Sequence, residues 1–194
     1  MAAEDVSLFK TENEESVILL YLSDPREIRA SNTKIIQEAE NAGYSTIVIT
    51  TNFPASILEK LYTKNNLNLD NIYFVDAITL YSLGSGAEND DHHLMIKNPA
   101  DLTSLGIGIT EMLKKTADKK IFILFDSVST MLIYLPSMKI TRFIHYLANK
   151  IRMTSKSGAF LAVEGGLDPM LMTQISTFVD YVIDGDEGGV TTQN

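Results

Sequence analysis

The stretch Lys119-Lys120-Ile121-Phe122-Ile123-Leu124-Phe125-Asp126-Ser127 runs from two lysines through five apolar residues into an acid and a hydroxyl. The apolar run predicts a buried strand, and the acid–hydroxyl pair at its end offers hard oxygen donors of the kind that hold a Mg²⁺ ion. Other apolar runs end in chemistry-bearing residues too: Ser23 and Asp24, Thr51 and Asn52, Asp76, and Glu164 before Gly165-Gly166. Ligands of open parallel sheets bind outside the strands' C-terminal ends, so these are the positions where chemistry is expected. A second group, Glu88, Asp90, Asp91, His92 and His93, has metal-ligand side chains. A metal needs them to converge, however, and adjacent histidines point in different directions, so a solvated loop is expected there. No Gly-x-Ser-x-Gly elbow surrounds any serine, which argues against a hydrolase triad built on Ser127, Ser129 and His145.

The elements that must position these groups are legible from periodicity. Val17–Leu22, Ile47–Thr51, Ile72–Val75, Ile121–Phe125, Ala159–Val163 and Tyr181–Ile183 are short, near-continuous apolar runs, as in strands covered on both faces. Between them lie helical stripes. Ile28, Ile35, Ile36 and Ala39 share one face, Ile57, Leu58 and Leu61 follow Pro54, and Leu102, Leu105, Ile109 and Met112 follow Asn98-Pro99. Ile140, Phe143, Ile144, Leu147 and Ile151 repeat most clearly, and Asp168-Pro169 caps and starts a last helix. Tyr81 to His93 reads as one long irregular loop. Strand–helix alternation predicts a three-layer α/β domain with a parallel sheet over residues 16–194, preceded by a flexible acidic tail, residues 1–15.

Composition narrows the function. A net charge of −9 opposes a nucleic-acid face and an anionic membrane surface. The absence of cysteine excludes disulfides, thiolate zinc and cysteine nucleophiles. No apolar run approaches the ~20 residues of a membrane span, and the first residues lack signal-peptide character, so a cytoplasmic location is expected. Against the acidic background, Lys139, Arg142, Lys150, Arg152 and Lys156 make one basic helix face, a candidate docking patch for an acidic surface.

Phe125-Asp126-Ser127-Val128-Ser129 resembles the Walker-B region of KaiC-like ATPases of the RecA superfamily. Tyr73-Phe74-Val75-Asp76-Ala77 is similar to their strand-plus-aspartate before a long loop, and Phe178-Val179-Asp180-Tyr181-Val182-Ile183 to a late helix-to-strand junction. The resemblance covers most of residues 16–184 and is closest to archaeal members. It implies a RecA-like P-loop fold, a nucleotide cleft at Asp126, Ser127 and Ser31, and Mg-ATP as the cofactor of an active member. Yet Ser23-Asp24-Pro25-Arg26-Glu27-Ile28-Arg29-Ala30-Ser31 stands where Gly-x-x-x-x-Gly-Lys-Ser/Thr would be. It has no glycine, alanine in place of the lysine, and only Ser31 in agreement. Those glycines let backbone N–H groups wrap phosphates, and the lysine reaches the terminal ones. Asp24 and Glu27 are instead spaced to cap a helix beginning at Pro25, which would fill an anion site with carboxylates. Thr50-Thr51-Asn52-Phe53 lacks the glutamate that the family's ATPases place after the second strand.

The expected protein is therefore a RecA-like fold without a functional P-loop and without hydrolysis or bound cofactor. It would be a regulatory pseudo-ATPase acting through a protein partner or as a homo-oligomer. The alternative is a regulator that binds Mg-ATP weakly. A receiver-like signalling domain, suggested by Asp24, Asp76 and Asp126 at strand ends, lacks a lysine at the later strand end.

Overall fold

The computed structural model describes residues 16–185 and 190–192; the acidic tail, residues 1–15, lies outside them. Seven parallel strands form the sheet: β1 (Ile18–Ser23), β2 (Ser45–Thr50), β3 (Ile72–Asp76), β4 (His93–Met95), β5 (Ile121–Asp126), β6 (Ser157–Val163) and β7 (Tyr181–Asp184). An antiparallel β8 (Val190–Thr192) completes it, in the order β4-β3-β2-β5-β6-β1-β7-β8. The expected parallel α/β sheet is present, and every strand read from an apolar run is there.

Helices cover both faces. On one side α1 (Ile28–Asn41) and α2 (Ala55–Lys64) bury Ile35, Ile36, Ala39, Leu58 and Tyr62 against Leu19, Val48, Phe74, Leu124 and Leu161. On the other, α4 (Leu102–Lys115), α6 (Ser137–Met153) and α7 (Pro169–Ser176) bury Leu105, Ile109, Ile144, Leu147 and Ile175 against Leu20, Ile49, Val75, Ile123 and Phe160. Alternate residues of β1, β2, β3, β5, β6 and β7 thus feed separate cores, and burial on both faces is why these strands read as unbroken apolar runs. Gly158 allows β6 to lie close to β5, since a Cβ there would come within 2.8 Å of the Ile123 carbonyl oxygen.

Three expectations are corrected. The stretch from Tyr81 to His93 is not all loop. It is flanked by the short helix α3 (Thr79–Leu83) and by β4, where Asp90 Oδ1 accepts from the backbone N–H of His92 and His93, both at 2.7 Å, and sets the strand's approach. The helix expected to open at Asn98-Pro99 starts at Leu102, with Asp101 as its cap accepting from Ser104 N at 3.0 Å. β8 is antiparallel and continues beyond the last expected strand. A three-residue edge strand such as β4 or β8 carries too little apolar sequence to be read from hydropathy.

Candidate functional site

The chain leaves β1 and β2 toward the α1/α2 face, and β5 and β6 toward the α6/α7 face. β2 lies beside β5 and β6 beside β1, so two crevices open where neighbouring strands send their connections to opposite sides. Such switch points are where open α/β sheets bind ligands. The first brings together Thr51, Asn52, Asp126 and Ser127; the second brings together Ser23, Asp24 and Glu164.

Asp126 ends β5 and is 1% exposed. Its Oδ2 accepts from Asn32 Nδ2 at 2.9 Å and its Oδ1 from Asn52 Nδ2 at 3.4 Å. The Tyr62 hydroxyl, wholly buried, donates to Asn32 Oδ1 at 2.7 Å. A hydrogen-bonded chain, Tyr62–Asn32–Asp126–Asn52, therefore crosses from α2 through α1 to the ends of β5 and β2. No cation among the described residues pairs with this carboxylate, and burial pushes it up to about 6, against the pull of the two amides. Burial first, and then the nearby Asp126 carboxylate, raise the Tyr62 phenol well above its ordinary range, against the pull of its hydrogen bond to Asn32.

The other two residues expected in the cleft are engaged separately. Ser31, on α1, shares a 2.7 Å hydrogen bond with Ser23 at the end of β1. Ser127 caps the short helix α5 (Val128–Met131), its Oγ accepting from Thr130 N at 3.3 Å. Thr51 Oγ1 donates toward the Ser127 carbonyl at 3.1 Å and lies 3.1 Å from Thr130 Oγ1. Ser129 accepts from Val163 N at 2.9 Å and does not bond Asp126. Asp126 and Ser127 thus sit at the end of β5, while Ser31 lies on α1 against the end of β1 with β6 between the two strands, and the three do not bond one another.

The connection from β1 to α1 is a turn of four residues, Asp24–Glu27, and here the structure departs from the expected geometry. α1 begins at Ile28, not at Pro25, and Glu27 precedes it without a side-chain capping bond. Asp24 turns to Arg26: its Oδ1 accepts from Arg26 N at 2.7 Å and Nε at 2.9 Å, and its Oδ2 from Arg26 Nη2 at 3.0 Å. The Arg26 side chain holds this carboxyl down at about 2, so it is ionised across the neutral range. The Asp24 carbonyl accepts from Glu27 N at 3.0 Å. Pro25 has no N–H to offer, and the next two are satisfied within the turn. At the rim, the Arg29 guanidinium lies 4.4 Å from the Phe53 ring centre and bridges the β1–α1 and β2–α2 connections.

Asp76, wholly buried at the end of β3, is a structural staple. It accepts from Ala55 N at 2.7 Å, Ile78 N and Thr79 N at 2.8 Å, and Thr79 Oγ1 at 2.6 Å. The histidine cluster is also structural. His92 stacks on Tyr73 and bonds the Ile72 carbonyl oxygen, while His93 stacks on Phe74 between Asp90 and Glu59. Tyr73 and Phe74 belong to opposite faces of the sheet, so the two rings diverge, and no metal-ligand group is assembled among the described residues. Sequence reasoning missed Asn32 and Tyr62. Each is a polar group on an otherwise apolar helix stripe, Asn32 at i−3 and i−4 from Ile35 and Ile36, and that irregularity was the available signal.

A family of unknown function, DUF7504, matches residues 16–184. The chain belongs to this DUF7504 family. No curated protein matches it. Among solved structures it is similar to a KaiC-like protein of the hyperthermophilic archaeon Pyrococcus horikoshii OT3, with a TM-score of 0.61, 13% identity, and coverage of 88% of this chain and 71% of the other. A second P. horikoshii protein matches at a TM-score of 0.58 with 7% identity, over 92% and 85% of the two chains. An uncharacterized P. horikoshii protein, solved in complex with an unknown peptide, matches at 0.57 with 13% identity, over 91% and 81%. This DUF7504 member therefore has the RecA-type α/β fold of a KaiC-like protein. No helix among its described residues is long and apolar enough to cross a membrane.

Proposed function

We propose that this protein is a KaiC-like domain that neither hydrolyses nor stably binds nucleotide and acts by contact with another protein. The carrying observation is the turn at Asp24–Glu27. In this reading it occupies the place of a phosphate loop, yet it presents an ionised carboxylate, has no glycine, and spends its own N–H groups internally. A triphosphate there would find no lysine and would have to compete with Asp24 for the Arg26 guanidinium, and charge-assisted donors are what phosphate binding requires. Ser31 is held by Ser23, and Asp126 is bound by amides, so the vestigial cleft of Asp126, Ser127 and Ser31 offers Mg²⁺ one buried carboxylate and no phosphates to complete its shell.

With the chemistry removed and the three-layer core intact, surfaces are left to do the work. A regulatory role in the cytoplasm, with a protein partner or a second copy and no resident cofactor, follows from this reading. The test is steady-state phosphate release from ATP and GTP with Mg²⁺. No turnover above the rate without protein is expected, and turnover that vanishes in Asp126→Ala refutes the proposal. One observation favours the weaker alternative of Mg-ATP binding without turnover: an acid is retained at a switch point between two asparagines. That alternative requires Asp126→Ala to abolish a binding signal.

A further inference from the structure

On the face opposite α1 and α2, helices α4 and α6 leave between them an open groove of ≈ 640 Å³. Its α4 wall runs from Leu102 to Lys114 at helical spacing, roughly 18 Å at 1.5 Å per residue, the length of a three-turn helix. Gly106, Ile107, Phe143 and Tyr146 make an apolar floor and wall. Ile107 is 54% exposed and Tyr146 44% exposed, although both belong to regular helices that bury their other faces. Gly106 is not demanded by packing: a Cβ there would meet the Tyr146 ring at an ordinary 3.5 Å. A glycine in a helix interior costs about 1 kcal/mol against alanine, and what it leaves is room beside Tyr146.

The charge of the groove runs against that of the chain. The sequence carries a net −9, yet α4 and α6 hold Lys114, Lys115, Lys139, Arg142, Lys150 and Arg152 against the single acid Glu111. Arg152 is neutralised by Asp180 at 2.9 Å and also bonds the Phe178 carbonyl, which removes it from the docking face expected from sequence. Lys114, Lys139 and Arg142 line the groove and make no ion pair among the described residues.

We infer that the α4/α6 groove is a docking site for an acidic amphipathic helix of a partner protein, whose apolar side chains enter beside Tyr146 while its carboxylates meet Lys114, Lys139 and Arg142. An apolar trough between two helices takes a third by its i, i+3, i+4, i+7 stripe, and the flanking cations select the sign of the partner and its orientation. This deepens the reading that the protein works by protein contact and rests on it.

The probe is a fluorescein-labelled peptide of about 14 residues with leucine at i, i+3, i+4 and i+7 and glutamate elsewhere. Its counterpart carries lysine for glutamate. Anisotropy titrations with the full chain, without nucleotide, should show saturable binding of the acidic peptide, and weakening by about tenfold or more in Ile107→Glu. Arg142→Glu should shift preference toward the lysine peptide. Both residues are exposed, so the variants keep their fold, as circular dichroism will show. Equal binding of both peptides, or binding of neither, overturns the proposal. So does binding to phosphatidylglycerol vesicles, lost in Ile107→Glu, in place of peptide binding, which would make the face a membrane contact. Nucleotide turnover would refute the pseudo-ATPase reading and leave the peptide result standing; failed peptide binding with no turnover would refute the groove alone.

Discussion

Replacing Asp126 by asparagine should stabilise this protein at alkaline pH. The carboxyl is 1% exposed, has two amide donors and no cation among the described residues, and burial raises it to about 6 from the 3.8 of a free aspartate. A group whose folded pKa is raised contributes stability that is fully present below the unfolded value and lost as pH rises through the folded one. The shift from 3.8 to about 6 corresponds to ~3 kcal/mol of relative destabilisation at pH 8. Asparagine is neutral throughout and nearly isosteric. It keeps an oxygen for Asn32 Nδ2, while Asn52 can turn its amide to accept the new donor. It forfeits the charge-assisted part of those bonds, leaving an expected net gain of about 1–2 kcal/mol at pH 8 and almost none at pH 4. Urea unfolding of both proteins at pH 4, 6 and 8 is the assay. Asp24, Asp90, Asp101 and Asp168 are all lowered and impose the opposite slope, but they are common to both proteins and cancel in the difference. A variant less stable than the parent at pH 8, or a difference that does not change with pH, would refute the reasoning. Either would mean that the charged form of Asp126 is the one the fold is built around.

Asp76→Ala should be far more damaging than its strand-end position suggests. It orphans the buried N–H groups of Ala55 and Ile78 as well as the donors of Thr79, and a loss of ~3–5 kcal/mol is expected in urea unfolding. Gly158→Ala should cost about 1–3 kcal/mol in the same measurement, because the added methyl meets a backbone oxygen of β5 that cannot rotate away.

The fold was legible because six of its strands are near-continuous apolar runs and its longer helices carry amphipathic stripes over enough residues to declare their period, as Ile121–Phe125 and Ile140–Ile151 do. The site was less so. The strand-end positions Ser23, Thr51, Asp76 and Asp126 were visible as residues that stop apolar runs, but their partners were not. Hydropathy cannot tell that Asn32 reaches across 94 positions to Asp126, or that Asp76 folds back on three N–H groups while Asp126 meets two amides. Asp24 and Glu27 match a capping pattern by spacing alone. The structure instead gives Asp24 to Arg26, since a turn of Pro25–Glu27 intervenes before α1 and puts Glu27, not Asp24, at the cap position. Local spacing fixes neither turn type nor the choice among competing donors.

Thermal unfolding with and without Mg-ATP tests the central claim most directly. A ligand present at 100 times its Kd raises native stability by about 2.7 kcal/mol, roughly 5–10 °C for a domain of this size. With several millimolar Mg-ATP the account predicts a change of less than about 1 °C, the same in the parent and in Asp126→Ala after each is referred to its own nucleotide-free midpoint. A saturable rise of several degrees that is lost in Asp126→Ala would contradict it, and would return the crevice between β2 and β5 to use as a nucleotide site.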